Sequence, residues 1–164
     1  MRSSLLLAAL LAVAAMGLSA CGFTPLYAQP GVSPVLASIE TVAPDGRLGY
    51  LVRESLDDEL AYSPGRPSKY RLELKLVEHR APRGLRIDNV ASRYEYTVEA
   101  HYQLVKADTG EVAREGTVRA EVTYDEAGQP YAGIATQQDA QARVAAEVAR
   151  KIRLDLSIWL AKAH

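Results

Sequence analysis

Tyr70-Arg71-Leu72-Glu73-Leu74-Lys75-Leu76 alternates apolar and charged residues without a fault. Tyr94-Glu95-Tyr96-Thr97-Val98-Glu99-Ala100-His101-Tyr102-Gln103-Leu104 repeats the pattern over a longer run. A period of two places every second side chain on the same side of a strand, so each stretch has one apolar and one polar face. After the turn Asp108-Thr109-Gly110, a third stretch sets Val118, Ala120, Val122 and Tyr124 on one side. Thr117, Arg119, Glu121 and Thr123 take the other. Three such strands in succession predict an antiparallel meander with one face on a core and the other in a polar medium.

Upstream of the meander, Leu48, Leu51, Val52, Leu56 and Leu60 share one stripe of a helix predicted over Leu48–Ala61, which Pro64, Gly65 and Pro67 stop. Val35–Val42 is a β-branched strand candidate ended by Pro44-Asp45-Gly46. Downstream, Gly128, Pro130 and Gly133 mark a loop, and Thr136-Gln137-Gln138-Asp139 has the form of a capping box. It would open a helix to Lys162, about 40 Å long, with Ala145, Val148, Ala149, Ile152, Leu156, Trp159 and Leu160 on its apolar stripe. The order β-α-β-β-β-α predicts an α+β fold. It is a two-layer α/β sandwich with two helices on one face of a four-stranded mixed sheet, a single domain over 35–164.

The amino end has a different character. Arg2 precedes a continuous apolar run, Leu5 to Met16, and Gly17 breaks it before small residues. This is the layout of a secretory signal peptide over 1–20, too short to span a bilayer. Leu18-Ser19-Ala20-Cys21 resembles the lipobox of bacterial lipoproteins, which implies an S-diacylglycerol and N-acyl (palmitate) lipid on Cys21, the only cysteine. Several acyl chains make attachment nearly irreversible. Gly22, where an Asp would signal retention in the inner membrane, points to the outer membrane. Residues 21–34, with Pro25, Pro30, Gly31 and Pro34, read as an extended tether.

Charge is balanced, with 19 Lys and Arg against 20 Asp and Glu, so nothing in the bulk composition favours a nucleic acid partner. The three histidines, His79, His101 and His164, are far apart in sequence, and no motif for a nucleophile, phosphate loop or metal is present. An enzyme, a metal and a cofactor are not expected.

The opening Cys21-Gly22-Phe23-Thr24-Pro25-Leu26-Tyr27 is similar to the mature start of the LptE family, the lipopolysaccharide-assembly lipoproteins, in its alphaproteobacterial form. Tyr124, Tyr131-Ala132, Ala135 and Asp139-Ala140, followed by a long helix ending near Trp159, resemble that family's C-terminal half. The resemblance implies a non-enzymatic protein of the outer membrane that faces the periplasm. It would plug the lumen of the LptD β-barrel, assist that barrel's assembly and contact lipopolysaccharide. It also implies a role for the basic stretch between the first two meander strands, where Arg80, Arg83 and Arg86 lie close together and Arg93 stands at the base. Guanidinium groups suit lipid A phosphates because their planar fork makes two charge-assisted hydrogen bonds. Arg86 is the nearest match to the family's basic contact and Arg83 the second. A further basic residue precedes the last helix in other members, whereas Gly133–Gln138 contains neither Lys nor Arg. Phe23 and Tyr131, on predicted loops, are candidates for partner contact. An auxiliary lipoprotein of an ABC-type lipid transporter is the alternative reading. A lipid-carrying receptor would need more strands to enclose a ligand, and a lipid-anchored hydrolase would need a nucleophile.

Overall fold

The computed structural model describes residues 32–65, 67–83, 93–125 and 130–163. The signal peptide, Cys21, Phe23 and Arg86 lie outside the described residues. The elements are α1 (Val32–Leu36), β1 (Ile39–Val42), α2 (Arg47–Leu60), β2 (Tyr70–Pro82), β3 (Arg93–Lys106), β4 (Val112–Asp125) and α3 (Pro130–Ala163). The sheet order is β1-β2-β3-β4, with β1 parallel to β2 and the other neighbours antiparallel. This is the expected mixed sheet with its helices, and α1 is an addition.

Parity along the strands decides the layers. Leu72 faces Leu104, Leu76 faces Ala100, and Val98 faces Ala120, so the even-numbered side chains make one apolar surface. α3 lies over β3 and β4 and packs along α2, which borders β1. Leu72, Val98, Ala100, Leu104, Val148, Ile152 and Leu156 are wholly buried between the layers. On α2, Leu48, Val52, Leu56 and Leu60 are buried as the stripe requires. Gly49 is needed there, because a Cβ would stand 1.9 Å from the Pro44 carbonyl oxygen. The odd-numbered positions of the meander form the open face, where Arg71, Lys75, His101, Arg119 and Glu121 are exposed.

Three boundaries differ from the sequence reading. Residues 32–34 are not extended but begin α1, and the β1 strand is only Ile39–Val42. Pro34 fits the first turn of a helix, where its missing N–H costs nothing, and Val32 and Leu36 bury the same side one turn apart. α3 begins at Pro130 rather than Thr136. Thr136 does not cap it; its Oγ1 donates back to the Gly133 carbonyl at 3.0 Å. Gly133 itself is buried within the helix, not in a loop. α3 thus has 34 residues, or about 50 Å at about 1.5 Å per residue.

The molecule has two poles. The entry pole holds α1, the start of β2, the β3–β4 turn and the end of α3. Lys69 and Tyr70 N–H donate to the Ser38 carbonyl at 3.0 and 3.5 Å, and Ala107 N–H donates to Lys69 O at 3.0 Å. The Tyr70 ring meets Trp159 edge-on at 6.4 Å. The hairpin pole holds the ends of β2 and β4 and the starts of β3 and α3.

Candidate functional site

Of the arginines singled out from the sequence, Arg80, Arg83 and Arg93 gather at the hairpin pole, but on both sides of the sheet. β2 runs to Pro82, so Arg80 is a strand residue opposite Tyr96 rather than part of a loop. Its even position turns it to the helix side, where its guanidinium lies 3.6 Å from the Tyr94 ring centre and 5.6 Å from that of Tyr124. Tyr94 and Tyr124 face each other across β3 and β4 and stack at 5.8 Å. Arginine over an aromatic pair is a cation–π arrangement that holds the charge at a fixed place.

Arg83 and Arg93 take the open side. The Arg83 N–H donates to the Arg93 carbonyl at 2.7 Å, which sets the two residues side by side. Each has its own carboxylate: Arg83 pairs with Glu95 at 2.7 Å and Arg93 with Asp125 at 2.8 Å. The Arg93 guanidinium, chiefly by hydrogen bonding, holds the Asp125 carboxyl below its ordinary range. The Arg93–Asp125 pair is fully in solvent, where water screens the attraction and an anionic ligand would displace the carboxylate at little cost, whereas the Glu95 side chain is only 12% exposed.

Tyr131 lies in the first turn of α3, not on a loop, and is 88% exposed. Ile134, one turn on, is 55% exposed. Their spacing continues the stripe of Ala145, Val148 and Ile152 beyond its cover, so the helix brings an apolar end to the hairpin pole. The stretch Gly133–Gln138, expected just ahead of the last helix, lies inside it.

Two hydrogen-bonded tyrosines, one joining neighbouring strands and one tying the sheet to α3, were not singled out from the sequence. The Tyr96 hydroxyl donates to the Glu78 carboxylate on the neighbouring strand β2. Nearer the entry pole, the Tyr102 hydroxyl donates to Asp155 of α3, and Arg114 Nη2 donates to both Asp155 oxygens at 3.2 and 3.1 Å. Burial, reinforced by the Asp155 hydrogen bond, pushes the Tyr102 hydroxyl up to about 12. Burial and then the Glu78 hydrogen bond raise Tyr96 as well. Tyr102 lies across Gly116, where a Cβ would stand 2.5 Å from its hydroxyl. A signal was present in the sequence: Glu78, Arg80 and Arg114 sit at even positions, on the apolar parity.

Chemically the site is one cation over aromatic rings on the helix side and two carboxylate-paired cations on the open side. Among the described residues no cluster of His, Cys, Asp and Glu is arranged to hold a metal, and no helix is long and apolar enough to cross a membrane.

This architecture recurs in other bacterial envelope proteins. A crystal structure from Caulobacter crescentus CB15, of a protein classed as a lipoprotein, is 52% identical, covers 82% of this chain and 98% of its own, and superposes with a TM-score of 0.72. The solution structure of lipoprotein B from Nitrosomonas europaea shares the fold at 13% identity, covering 75% of this chain and 83% of its own, with a TM-score of 0.56. A minor lipoprotein from Acinetobacter baumannii does so at 14% identity, covering 73% and 88%, with a TM-score of 0.52. No curated protein matches the chain. Fold and site define a small lipoprotein-type α+β wedge with a charged open face. The family model LptE: Lipopolysaccharide-assembly matches residues 36–156. The chain belongs to the LptE family of lipopolysaccharide-assembly lipoproteins.

Proposed function

We propose that this chain is acylated at Cys21, held in the outer membrane, and seated as a plug in the lumen of the LptD β-barrel, whose assembly it assists. It alters no substrate covalently. One observation carries the reading: a sheet that is dry on the side beneath the helices and has an open face of mostly charged and polar side chains. β2, β3 and β4 have 13, 14 and 14 residues, so the face is about 45 Å long at about 3.3 Å per residue. On that face Arg71–Glu73, Arg83–Glu95, Arg93–Asp125 and Arg119–Glu121 pair at 2.8, 2.7, 2.8 and 3.4 Å. Large outer-membrane barrels have polar interiors. Such a face enters one without stranding apolar surface in water, and the pairs can be re-formed with wall residues. Tyr131, 88% exposed at the start of α3, is the proposed partner contact.

Lipopolysaccharide contact belongs to the hairpin pole, the end remote from where the described chain begins. Arg80, Arg83 and Arg93 are grouped there, and Arg86 falls within the connection between β2 and β3. Phosphates of lipid A would replace Glu95 and Asp125 as partners of Arg83 and Arg93.

The test is affinity purification of the tagged, acylated protein in mild detergent. A large outer-membrane barrel should co-purify in equal amount. Recovery of the protein alone would overturn the plug, and recovery with an ABC-type transporter would establish the rival adaptor. For the lipid contact, Arg83→Glu with Arg86→Glu should weaken binding of purified lipopolysaccharide at least tenfold at low salt. Unchanged affinity would retire it.

A further inference from the structure

β4 is an edge strand, and its two halves are treated differently. In the half near the hairpin pole, side chains of α3 close the edge. Lys151 Nζ donates to the Arg119 carbonyl at 2.8 Å, and Arg143 Nη2 to that of Thr123 at 3.4 Å. Those carbonyls therefore point away from β3. Along an antiparallel strand the N–H and C=O of one residue point the same way, so Glu115, Thr117 and Glu121 also turn their backbone outward. Among the described residues no side chain closes the edge at Glu115 or Thr117.

The flank changes at the same place. α3 and β4 run side by side in opposite directions, with Arg143 at Thr123, Lys151 at Arg119 and Asp155 at Arg114. Leu154 and Ile158 fall on that same helix side, level with the open half. They are 44% and 38% exposed, and Val112 at the start of β4 is 45% exposed. An unpaired strand beside an apolar helix flank is the groove that accepts an added strand.

We propose that this groove docks the chain's own segment 22–31 as a fifth, antiparallel strand. Reach and direction both fit. The described chain begins at Val32, at the entry pole and against α3. Ten residues extend up to about 35 Å. A strand antiparallel to β4 arrives at the entry pole, where Val32 is placed. The proline fixes the faces. Pro25 has no N–H, so it must turn its backbone away from β4, and Thr24 and Leu26 then turn theirs toward it. In an antiparallel pair that puts Phe23, Pro25 and Tyr27 on the helix side, against Leu154 and Ile158. Pairing stops at Arg119, whose carbonyl Lys151 already occupies, and this leaves about six residues of added strand.

The experiment is amide hydrogen exchange on the acylated mature protein in detergent micelles. Glu115 and Thr117 should exchange at least about tenfold slower than Glu121, which faces outward between the two capped carbonyls. Leu26→Pro, a change outside the domain core, should return both to the Glu121 rate, and Ile158→Asp should do the same. Equal rates at all three positions would overturn the proposal. So would protection that rises with protein concentration, which assigns the edge to a second copy, or protection seen only with the barrel, which assigns it to a partner strand.

Discussion

The two poles handle polar groups in opposite ways. Near the entry pole, Tyr102, Arg114 and Asp155 are knitted into one network under α3, with Tyr102 only 2% exposed. At the hairpin pole Arg93 holds the exposed carboxylate of Asp125, and Tyr131 and Ile134 stand in solvent. Buried polar groups are costly to leave unmatched, so the first arrangement governs stability. Exposed pairs exchange partners cheaply, so the second is free to serve recognition. One helix serves both ends.

The sharpest way to break the comparison is at the dry end. Leu156→Ala should lower stability by about 2–5 kcal/mol in urea unfolding, since its side chain is wholly buried. A loss as small as a surface change would mean that this end is not the anchor of the core. Gly116→Ala comes next, at about 1–3 kcal/mol, because the added Cβ meets the Tyr102 ring. Tyr102→Phe in the same background should recover part of that loss by removing the hydroxyl.

A pH titration sharpens the contrast further. Folding raises the Tyr102 hydroxyl from its ordinary 10.0 to about 12. The folded state therefore holds a proton that the unfolded state loses, and this contribution is complete below pH 10 and fades as pH rises toward 12. Tyr102→Phe should flatten the stability curve over that window. A curve as steep as the parent's would assign the alkaline loss to other groups, Tyr96 first. The smallest effect is expected at the wet end. Tyr131→Ala should change stability by less than about 0.5 kcal/mol while reducing capture of the barrel.

How much of this was legible depended on whether a residue's role is local. The meander was, because parity alone sorts Leu72, Leu74 and Leu76 from Arg71, Glu73 and Lys75. The α2 stripe was equally plain. The start of α3 was not: Thr136 carries a cap-forming hydroxyl and Gly133 looks like a loop residue, yet packing extends the helix through both. Pro34 misled in the same way, since proline is as welcome in a first helical turn as in an extended lead. At the site, the grouping of Arg80, Arg83 and Arg93 followed from their nearness in sequence to one turn. Their partners did not. Glu95, Asp125, Tyr94 and Tyr124 reach them only through strand register, and a shift by one residue would exchange the faces.

The place of α3 in chain order has a consequence for biogenesis. Both the sheet's apolar side and the inner stripe of α2 wait for this one segment, which follows all the other described elements in the chain. Until Val144–Leu160 is in place, the apolar side of β3 and β4 and the inner stripe of α2 have nothing to cover them. A chain cut short there should be a chaperone client and a protease substrate rather than a smaller folded protein.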